Sequence, residues 1–339
     1  MIKNIFKIKY YEMIVIRRLE HVQVEVSTYC QSRCIMCPRS IMDDWINRHM
    51  DIELFKKIPF EKFDYAHLQG WGEPLLNPNI MEMIEFAKKS GCSIGLTTNG
   101  ILLQEFASDL SKLVDLIAVS IASPNPDIHK RIRKCDLHEI IEGIKMISQR
   151  TKCKIVITTL MLKDTIKDLP DLVKLAKYCG ADEVIANNLD YIPTKELFKL
   201  KVFSEENSEI VKCIEKAKNV ANELGIKLIV KPLKLQECTI CAENPIDGCL
   251  VTVNGDIAPC VYLHLPTKSK TIQRVFDHKV IHVPKLYFGN LHEKKFDEIW
   301  KSKSYREFRR IFEKRVNANF FDFPELPSVC KSCYKAYSI

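Results

Sequence analysis

The chain has 339 residues, 46% of them hydrophobic and 28% charged, a globular composition that excludes a disordered or fibrous protein. Its net charge of +8 suits an anionic partner but is equally typical of a basic surface without one. Residues 1–20 are interrupted by charges, and no apolar run approaches the ~18 residues that span a bilayer. We therefore expect a cytoplasmic protein with no membrane partner, in which the 14 cysteines are free thiols.

Six short, largely apolar segments predict buried parallel β-strands. They lie at 22–26, 65–70, 93–97, 116–121, 154–161 and 183–188. Helical patterns accompany them at 78–90, 104–113, 137–149, 168–179 and 204–224. Gly91, Gly180 and Gly225 directly follow three of these helices, in the position of a helix-terminating glycine. Repeated βα units imply a parallel α/β sheet, open or barrel-shaped, and six units are fewer than the eight of a closed barrel.

Beyond residue 232 the alternation stops, and we place a domain boundary there. Asn254 and Gly255 predict the turn of a β-hairpin over 252–257, and an amphipathic pattern predicts a helix over 296–312. The stretches 236–245, 264–284 and 316–328 are loop-like. A segment with so little regular structure needs a cross-link to stabilise it. A metal bound by its cysteines can supply this cross-link. The predicted organisation is a lead-in at 1–21, a βα domain at 22–232 and a small loop-rich domain at 233–339.

Three cysteines within eight residues form the most specific motif in the chain. Cys30, Cys34 and Cys37 follow the first predicted strand with the spacing C-x3-C-x2-C. Structural zinc needs four ligands, usually in two pairs, whereas three thiolates without a nearby fourth describe a 4Fe–4S cubane whose last iron has no protein ligand. Such an open iron is useful only when a substrate or cofactor binds it.

Further polar motifs lie directly after the next predicted strands. The active sites of βα folds lie at these carboxyl ends of the strands. Gly-Trp-Gly-Glu-Pro occupies 70–74 after the second predicted strand, Thr-Thr-Asn-Gly occupies 97–100 after the third, and Ser120 ends the fourth. Each motif alone is typical of an ordinary turn or strand. Their placement beside the cysteine triplet indicates one shared site.

With these motifs in this order, residues 22–190 resemble the radical S-adenosylmethionine superfamily. The resemblance implies a partial TIM-like barrel of six βα units, (β/α)6, with an open side that admits large substrates. It also implies that S-adenosylmethionine chelates the open iron through its amino and carboxylate groups. The cofactor is then reductively cleaved to a 5′-deoxyadenosyl radical, which abstracts hydrogen from a substrate C–H bond.

The resemblance assigns a second set of residues to S-adenosylmethionine itself. Gly72 and Glu73 are expected at its ammonium group. Ser120 and Arg133 suit its carboxylate and ribose, because a guanidinium matches a carboxylate in fork geometry. Asn99 is a further candidate on the same rim.

Two positions depart from the family pattern. Met36 stands where an aromatic residue usually precedes the third cysteine, and Trp71 replaces the first glycine of the family's Gly-Gly-Glu-Pro. Neither position is a cluster ligand. The departures therefore concern how S-adenosylmethionine packs and not whether the chain resembles this superfamily.

The cysteines of the last third resemble those of SPASM and twitch domains, which hold auxiliary iron–sulfur clusters in this superfamily. Thirteen residues separate Cys241 from Gly255, the glycine that leads into Cys260, and the chain ends six residues after the closing pair, as in the shorter twitch form. We predict one auxiliary 4Fe–4S cluster, and a four-thiolate zinc site is the alternative. Its predicted ligands are Cys241, Cys260, Cys330 and Cys333. Cys238 or Cys249 remains open as a replacement for Cys241.

The resemblance implies a radical enzyme, and a second cluster favours net oxidation because it can accept an electron from a substrate radical. We expect an oxidoreductase that dehydrogenates a sugar- or aminocyclitol-like molecule. The alternatives are a peptide maturase forming a cross-link or an epimer, a redox-neutral radical enzyme, a tRNA-modifying enzyme and a non-catalytic electron carrier. Only 29 residues precede Cys30, which disfavours a maturase with its own leader-binding segment.

The expected partners are a reducing protein such as flavodoxin or ferredoxin and a small-molecule or peptide substrate. Nucleic acid is not expected, since no nucleic-acid-binding domain is visible. Asn187, Asn188 and Tyr191, at the end of the sixth predicted strand, are placed to meet the substrate. His67 and His129 are expected at the surface or in loops.

Overall fold

The computed structural model describes residues 18–149, 153–204, 207–318 and 323–339. Strands and helices alternate through its first two-thirds, and each predicted strand is present within three residues of its predicted bounds. The elements are β1 (Leu19–Val24), α1 (Ile52–Phe55), β2 (Phe63–Leu68), α2 (Ile80–Lys89), β3 (Ser93–Thr98), α3 (Leu103–Leu113), β4 (Leu116–Ser120), α4 (Pro126–Arg133), α5 (Leu137–Ser148), β5 (Lys154–Met161), α6 (Leu169–Tyr178), β6 (Glu183–Asn188), α7 (Lys195–Phe198), α8 (Ser208–Leu224) and β7 (Lys227–Val230). The helix predicted over 204–224 begins at Ser208, and residues 205–206 lie outside the described residues.

Three of the predicted helix ends have a clear local cause. Gly91, Gly180 and Gly225 follow α2, α6 and α8 with φ values of +76°, +79° and +61°. This left-handed conformation is costly for residues with a Cβ, so glycine ends a helix readily. The helix-terminating role predicted for these glycines is confirmed.

The last third of the chain contributes two strands to the central sheet. Its elements are β8 (Gly248–Val251), β9 (Ile257–Ala258), β10 (Thr271–Phe276), β11 (Lys279–Pro284), α9 (Phe296–Trp300) and α10 (Lys303–Val316). The sheet has the order β7-β6-β5-β4-β3-β2-β1-β8-β9. Strands β1 to β7 run parallel in sequence order, β8 runs parallel to β1, and β9 pairs antiparallel with β8. The predicted α/β fold with a mostly parallel sheet is therefore confirmed.

The two faces of the sheet have different environments. Alternate residues of each strand, such as Val22, Ile94 and Ile117, are fully buried in the core that includes the helices. The intervening residues, such as Gln23 and Thr97, line a single cavity on the other face. Because successive side chains of a strand point to opposite faces, one strand supplies both the core and the cavity wall.

Two parts of the C-terminal prediction are wrong. The sequence predicts a loop over 264–284, but β10 and β11 form an antiparallel hairpin within it. Its turn residues, Asp277 and His278, have φ values of +45° and +63°, a conformation usually signalled by Asn-Gly. The helix expected over 296–312 is two helices, because the Ser302 side chain accepts a hydrogen bond from the Tyr305 N–H and begins a second one.

The hairpin predicted over 252–257 is present, with its turn at the predicted place. Val251 of β8 pairs with Ile257 of β9, and Gly255 in the turn has φ +83°. This hairpin joins the edge of the central sheet beside β1. The boundary predicted at residue 232 therefore separates two segments that share one sheet.

Candidate functional site

The cysteine triplet lies on the loop after β1, at one end of the cavity enclosed by the sheet. Cys30, Cys34 and Cys37 are half-buried and line this cavity. The Cys37 N–H donates to the Cys34 carbonyl over 3.1 Å, which curls the loop. The Ile35 N–H donates to the Ile132 carbonyl over 3.0 Å and ties the loop to α4, a helix not predicted from the sequence. The fold thus brings the three predicted ligands together.

The electrostatics of this loop favour a cation. Burial raises the pKa of the Cys30 thiol, and the charge of Glu73 raises it further. Burial raises the pKa of Cys37 to about 12, with additional increases from the neighbouring Cys34 and Cys30 thiolates. Three clustered thiolates therefore need compensating positive charge, which the irons of a cluster supply.

Position 72 requires glycine because two strand ends pack directly on each other. A Cβ on Gly72 would lie 2.2 Å from the carbonyl oxygen of Ser27 and 2.6 Å from that of Tyr29, closer than real Cβ atoms approach. The Glu73 N–H donates to the same Tyr29 carbonyl over 2.7 Å. The Gly-Glu-Pro turn is thereby fixed against the start of the cysteine loop.

Glu73 and Asn99 connect the ends of β2 and β3 to that loop. Glu73 is 2% exposed, and its carboxylate accepts hydrogen bonds of 2.7 Å from both the Thr98 hydroxyl and the Asn99 N–H. Burial raises the pKa of Glu73 to about 7. The Asn99 side-chain amide donates to Cys30 Sγ over 3.6 Å and to Gln31 Oε1 over 3.2 Å. Both residues also line the cavity, as their predicted roles require.

Arg133 offers a donor without a protein acceptor. It ends α4, whose first turn begins with Pro126 and is capped by the Asn125 side chain. Arg133 lines the cavity, and its Nε is buried with no hydrogen-bond partner among the described residues. Such a nitrogen is costly unless a ligand satisfies it, and a carboxylate fits a guanidinium best. Ser120 lines the same cavity, with its Oγ 3.4 Å from Thr158 Oγ1.

The two residues that depart from the family pattern also face the cavity. Met36 is 7% exposed and lines it beside the third cysteine. The Trp71 indole N–H donates to the Val261 and His264 carbonyls over 3.3 and 3.1 Å, and its ring lies 5.3 Å from that of Tyr191. Trp71 therefore ties the βα part of the chain to its C-terminal third.

The four predicted auxiliary ligands come from three separate segments and surround one small cavity of about 20 Å³. Cys241, Cys260, Cys330 and Cys333 all line it. Burial raises the pKa of Cys241 to about 12 and that of Cys260 well above its ordinary value. Burial also raises the pKa of Cys333, against a smaller opposing effect of the Arg274 charge. The donor set again fits a metal cluster that supplies positive charge.

The two alternative cysteines occupy different positions. Cys249 is 2% exposed within β8, and it does not line the small cavity. Cys238 lies closer, with its Sγ 3.2 Å from the Ala336 carbonyl oxygen, but it does not line the cavity either. The geometry therefore favours Cys241 over both.

No group of three His, Cys, Asp or Glu side chains among the described residues is arranged to hold a single metal ion. The ligands of one zinc ion must converge on it at about 2.0–2.3 Å. A cubane binds each thiolate at a different iron, so its ligands stand further apart.

One cavity of about 650 Å³ extends between the two cysteine sites. Its walls include the cysteine triplet at one end and Glu243, Tyr262 and Lys335 at the other. The last three residues also line the small cavity of the auxiliary cysteines. A molecule in the large cavity would therefore contact residues adjacent to both sites.

A polar group absent from the sequence prediction lies at the auxiliary end. Asp190 follows β6, and its Oδ2 is 2.8 Å from Lys335 Nζ and accepts from the Tyr262 hydroxyl over 3.1 Å. Burial raises the pKa of the nearby Glu243. Glu243, Tyr262 and Lys335 each stand two residues after a predicted auxiliary ligand, which is the signal that could have identified them.

Not all three residues predicted to contact a substrate face the large cavity. Asn187 and Tyr191 line the large cavity. Asn188 is 1% exposed, and its side-chain amide donates to the Pro232 carbonyl over 2.7 Å. Asn188 thus supports the strand end instead of facing the cavity.

The prediction for the two histidines is wrong. His67 lies on β2 and faces the cavity, with Nδ1 2.6 Å from Tyr65 Oη and Nε2 2.8 Å from Thr97 Oγ1. His129 is fully buried on α4, where its Nδ1 accepts from the Ala122 N–H over 3.3 Å. Burial lowers the pKa of each to about 4, so both are neutral at pH 7.

Comparison with protein families agrees with this geometry. Residues 24–176 match the radical SAM superfamily, and residues 241–334 match SPASM, an iron–sulfur cluster-binding domain. The chain is therefore a radical S-adenosylmethionine enzyme with a C-terminal SPASM domain. Its radical domain binds a 4Fe–4S cluster and S-adenosylmethionine, and its SPASM domain holds an auxiliary iron–sulfur cluster.

The chain is 27% identical to the tungsten-containing aldehyde ferredoxin oxidoreductase cofactor-modifying protein of Pyrococcus furiosus, over 86% of this chain and 84% of that protein. It is 31% identical to a probable GTP 3′,8-cyclase of Methanocaldococcus jannaschii, over 54% of this chain and 62% of that protein.

Solved structures share the fold at low sequence identity. Streptococcus suis SuiB bound to S-adenosylmethionine superposes with a TM-score of 0.65 at 14% identity, over 93% of this chain and 78% of SuiB. The structure of anSMEcpe with bound AdoMet superposes with a TM-score of 0.61 at 17% identity, over 94% of this chain and 92% of that one. None of the helices that the structure describes combines the length and apolar surface needed to traverse a bilayer.

Proposed function

We propose that this enzyme oxidises a small molecule by two electrons, beginning with hydrogen abstraction from a C–H bond. The observation that carries the proposal is the single cavity whose walls include the cysteine triplet and three residues adjacent to the auxiliary cysteines. A substrate bound there has one cluster site on each side. The auxiliary cluster is then placed to accept the electron that simple hydrogen abstraction leaves behind.

Two sets of ligands follow from this proposal. Cys30, Cys34 and Cys37 hold the first cluster, whose reduced form with bound S-adenosylmethionine supplies the hydrogen-abstracting chemistry. The auxiliary 4Fe–4S cluster is held by Cys241, Cys260, Cys330 and Cys333. A ferredoxin or flavodoxin is the proposed electron donor. We retain 22–232 and 233–339 as the two functional parts of the chain.

The residues around S-adenosylmethionine have distinct tasks in this proposal. The unpartnered Arg133 Nε donates to the cofactor's carboxylate, and Ser120 supports the ribose side. The Gly72–Glu73 turn, fixed on the Tyr29 carbonyl, receives the ammonium group. Asn99 orders the cysteine loop through Cys30. Each task uses a group already oriented by the fold, which limits the entropy lost on binding.

The cavity chemistry suggests a substrate that carries hydroxyl or amino groups. Asp190 and Glu243 are acceptors at the auxiliary end, where Lys335 forms an ion pair with Asp190. Hydroxyl and protonated amino groups are the donors that such a wall binds. A sugar- or aminocyclitol-like molecule fits this description.

A second candidate substrate is an organic cofactor of another enzyme. The similarity to the cofactor-modifying protein of Pyrococcus furiosus, which extends over 86% of the chain, supports it. The match to the probable GTP 3′,8-cyclase, over 54% of the chain, supports only a shared radical domain. The cofactor candidate uses the same cavity and the same first step.

Mass spectrometry of an anaerobic reaction tests the proposal. The reconstituted enzyme, S-adenosylmethionine and dithionite are incubated with a metabolite extract, and compounds consumed and formed are compared with a boiled-enzyme control. We expect a product two hydrogens lighter than its precursor, with one S-adenosylmethionine consumed per product. An isomeric product formed with S-adenosylmethionine regenerated would contradict the oxidation, and consumption of a peptide would contradict the small-molecule class.

A further inference from the structure

Two buried arginines bind the segments that carry the auxiliary cysteines, but only one of them has all of its nitrogens hydrogen-bonded to the protein. Arg315 is fully buried and donates to the carbonyls of Thr239, Cys238 and Pro324 and to the Glu237 carboxylate. All of its nitrogens are therefore used by the protein. Arg315 acts as a structural clamp on the segment that leads into Cys241.

Arg274 lies on β10, in the hairpin that the sequence did not predict. It is 3% exposed, its Nε donates to Ser332 Oγ over 3.1 Å, and its Nη2 donates to the Val329 carbonyl. Val329 directly precedes Cys330, and Ser332 directly precedes Cys333. The guanidinium is thereby held against the loop that carries two of the four predicted auxiliary ligands.

The third nitrogen of Arg274 has no acceptor. Nη1 is buried, and no group in the described parts of the chain is hydrogen-bonded to it. Arg309 also leaves Nη1 unpartnered, but its guanidinium stacks 3.9 Å from the Trp300 ring centre, which accounts for its burial. An N–H of Arg274 left without either kind of partner is unfavourable in the protein interior unless a ligand accepts its hydrogen bond.

We propose that Arg274 donates its Nη1–H to the sulfur of the auxiliary cluster and sets the cluster's reduction potential. A buried positive charge and a hydrogen bond to sulfur both stabilise the more negative, reduced state. Arg274 therefore raises the potential and makes this cluster a better electron acceptor. The inference rests on the ligand assignment of Cys330 and Cys333 in the proposed function, and it assigns Arg274 a positioning and tuning role.

The test isolates the auxiliary cluster. The variant Cys30→Ala/Cys34→Ala/Cys37→Ala removes the first cluster, so the remaining one can be titrated by electron paramagnetic resonance in the presence of redox mediators. Arg274→Gln and Arg274→Lys are added to this background. Arg306→Gln, an exposed cation on α10, is the matched control.

At the potential where half of the parent cluster is reduced, we expect Arg274→Gln to lower the ratio of reduced to oxidised cluster at least tenfold. A tenfold change corresponds to 59 mV for a one-electron couple. Arg274→Lys keeps the positive charge. Its reduction potential should therefore fall by less than half as many millivolts as that of Arg274→Gln. Arg306→Gln should leave the ratio unchanged.

Three results would overturn the proposal. One is an unchanged ratio in a Gln variant that still holds its full iron. Another is an equal shift in the Lys and Gln variants, which would show that charge is not the cause. Loss of the cluster from both variants would give Arg274 a purely structural role. Full iron in Cys330→Ala instead contradicts the ligand assignment, a failure distinguishable from that of Arg274.

Discussion

The side-chain amide of Asn99 lies 3.6 Å from Sγ of Cys30 and donates a hydrogen bond to it. Its backbone N–H is held at 2.7 Å by the buried carboxylate of Glu73. The ends of the first three strands therefore meet at one predicted cluster ligand. This contact links the proposed S-adenosylmethionine site to the cysteine loop, although Asn99 and Cys30 are far apart in the sequence.

Asn99→Ala should weaken the cleavage of S-adenosylmethionine. The variant loses the donor to a thiolate and the contact with Gln31, and charge-assisted hydrogen bonds are worth about 1.5–3 kcal/mol. We expect kcat/KM for 5′-deoxyadenosine formation to fall at least ~10-fold. Gln104→Ala removes an exposed amide, which donates to the Glu139 carbonyl, and is the control. Cleavage within twofold of the parent would show that the contact is dispensable.

Iron and sulfide analysis checks the two-cluster assignment. Two cubanes require about eight irons and eight sulfides per chain after anaerobic reconstitution. The variant Cys30→Ala/Cys34→Ala/Cys37→Ala should retain about half of the iron and lose all cleavage of S-adenosylmethionine, because the open iron is gone. Zinc in place of the remaining iron would contradict the auxiliary cubane.

Cys241→Ala and Cys249→Ala form a matched pair for the auxiliary ligands. Cys249 is buried and Cys241 is half-buried, but only Cys241 lines the small cavity with Cys260, Cys330 and Cys333. We expect Cys241→Ala to lose about half of the iron and to destabilise the C-terminal third, since metal binding there is folding energy. Cys249→Ala should keep its iron and lose only packing within β8. The reverse pattern would transfer the ligand role to Cys249.

Asp190→Asn should separate hydrogen abstraction from product formation. In the proposed oxidation a substrate hydroxyl loses a proton, and we expect Asp190, a carboxylate on the cavity wall, to accept it. The amide of the variant cannot take this proton, and a positioned base contributes typically 10²–10⁴-fold. Once the substrate is identified, we expect deuterium from its C–H bond in 5′-deoxyadenosine at near-parental rates, with oxidised product lowered ~100-fold. Asp164→Asn, on an exposed ion pair with Arg131, is the control. Equal loss of both products would indicate that Asp190 only holds the fold.

His67 makes the protein sensitive to acid. Burial lowers its pKa from 6.5 to about 4. The unfolded chain therefore binds a proton that the folded protein does not, and stability is lost as the pH falls through 6.5 toward 4. Between pH 8 and pH 5 the loss amounts to about 2 kcal/mol.

His67→Gln should remove that part of the pH dependence. The measurement is urea unfolding of the parent and the variant at pH 5 to 8, and the quantity compared is the slope of the unfolding free energy with pH. A variant with the parental slope would contradict the assignment. The exposed His138→Gln should retain the parental slope.

The βα part of the fold could be predicted because its signals are local. Buried parallel strands are short apolar runs, and glycines with positive φ stand after three helices, as at Gly91, Gly180 and Gly225. The hairpin β10–β11 escaped prediction because Asp277 and His278 adopt the turn conformation without its usual Asn-Gly signal. The pairing of the predicted 252–257 hairpin with the central sheet escaped prediction because β8 and its partner β1 are more than 220 residues apart.

For the site, spacing identified the cysteine triplet, and the resemblance to SPASM and twitch domains supplied the four predicted auxiliary ligands. The large cavity, the bridge from Trp71 to the Val261 carbonyl and the contacts of Asp190 with Lys335 and Tyr262 were decided by tertiary structure. These contacts join the ends of β2 and β6 to the C-terminal third. The pattern of residues within a single segment cannot predict a contact between distant segments. Local propensity and spacing therefore determined the strands and most helices of the βα part and the cysteine triplet of this enzyme. Long-range packing decided which polar side chains face the space between its two clusters.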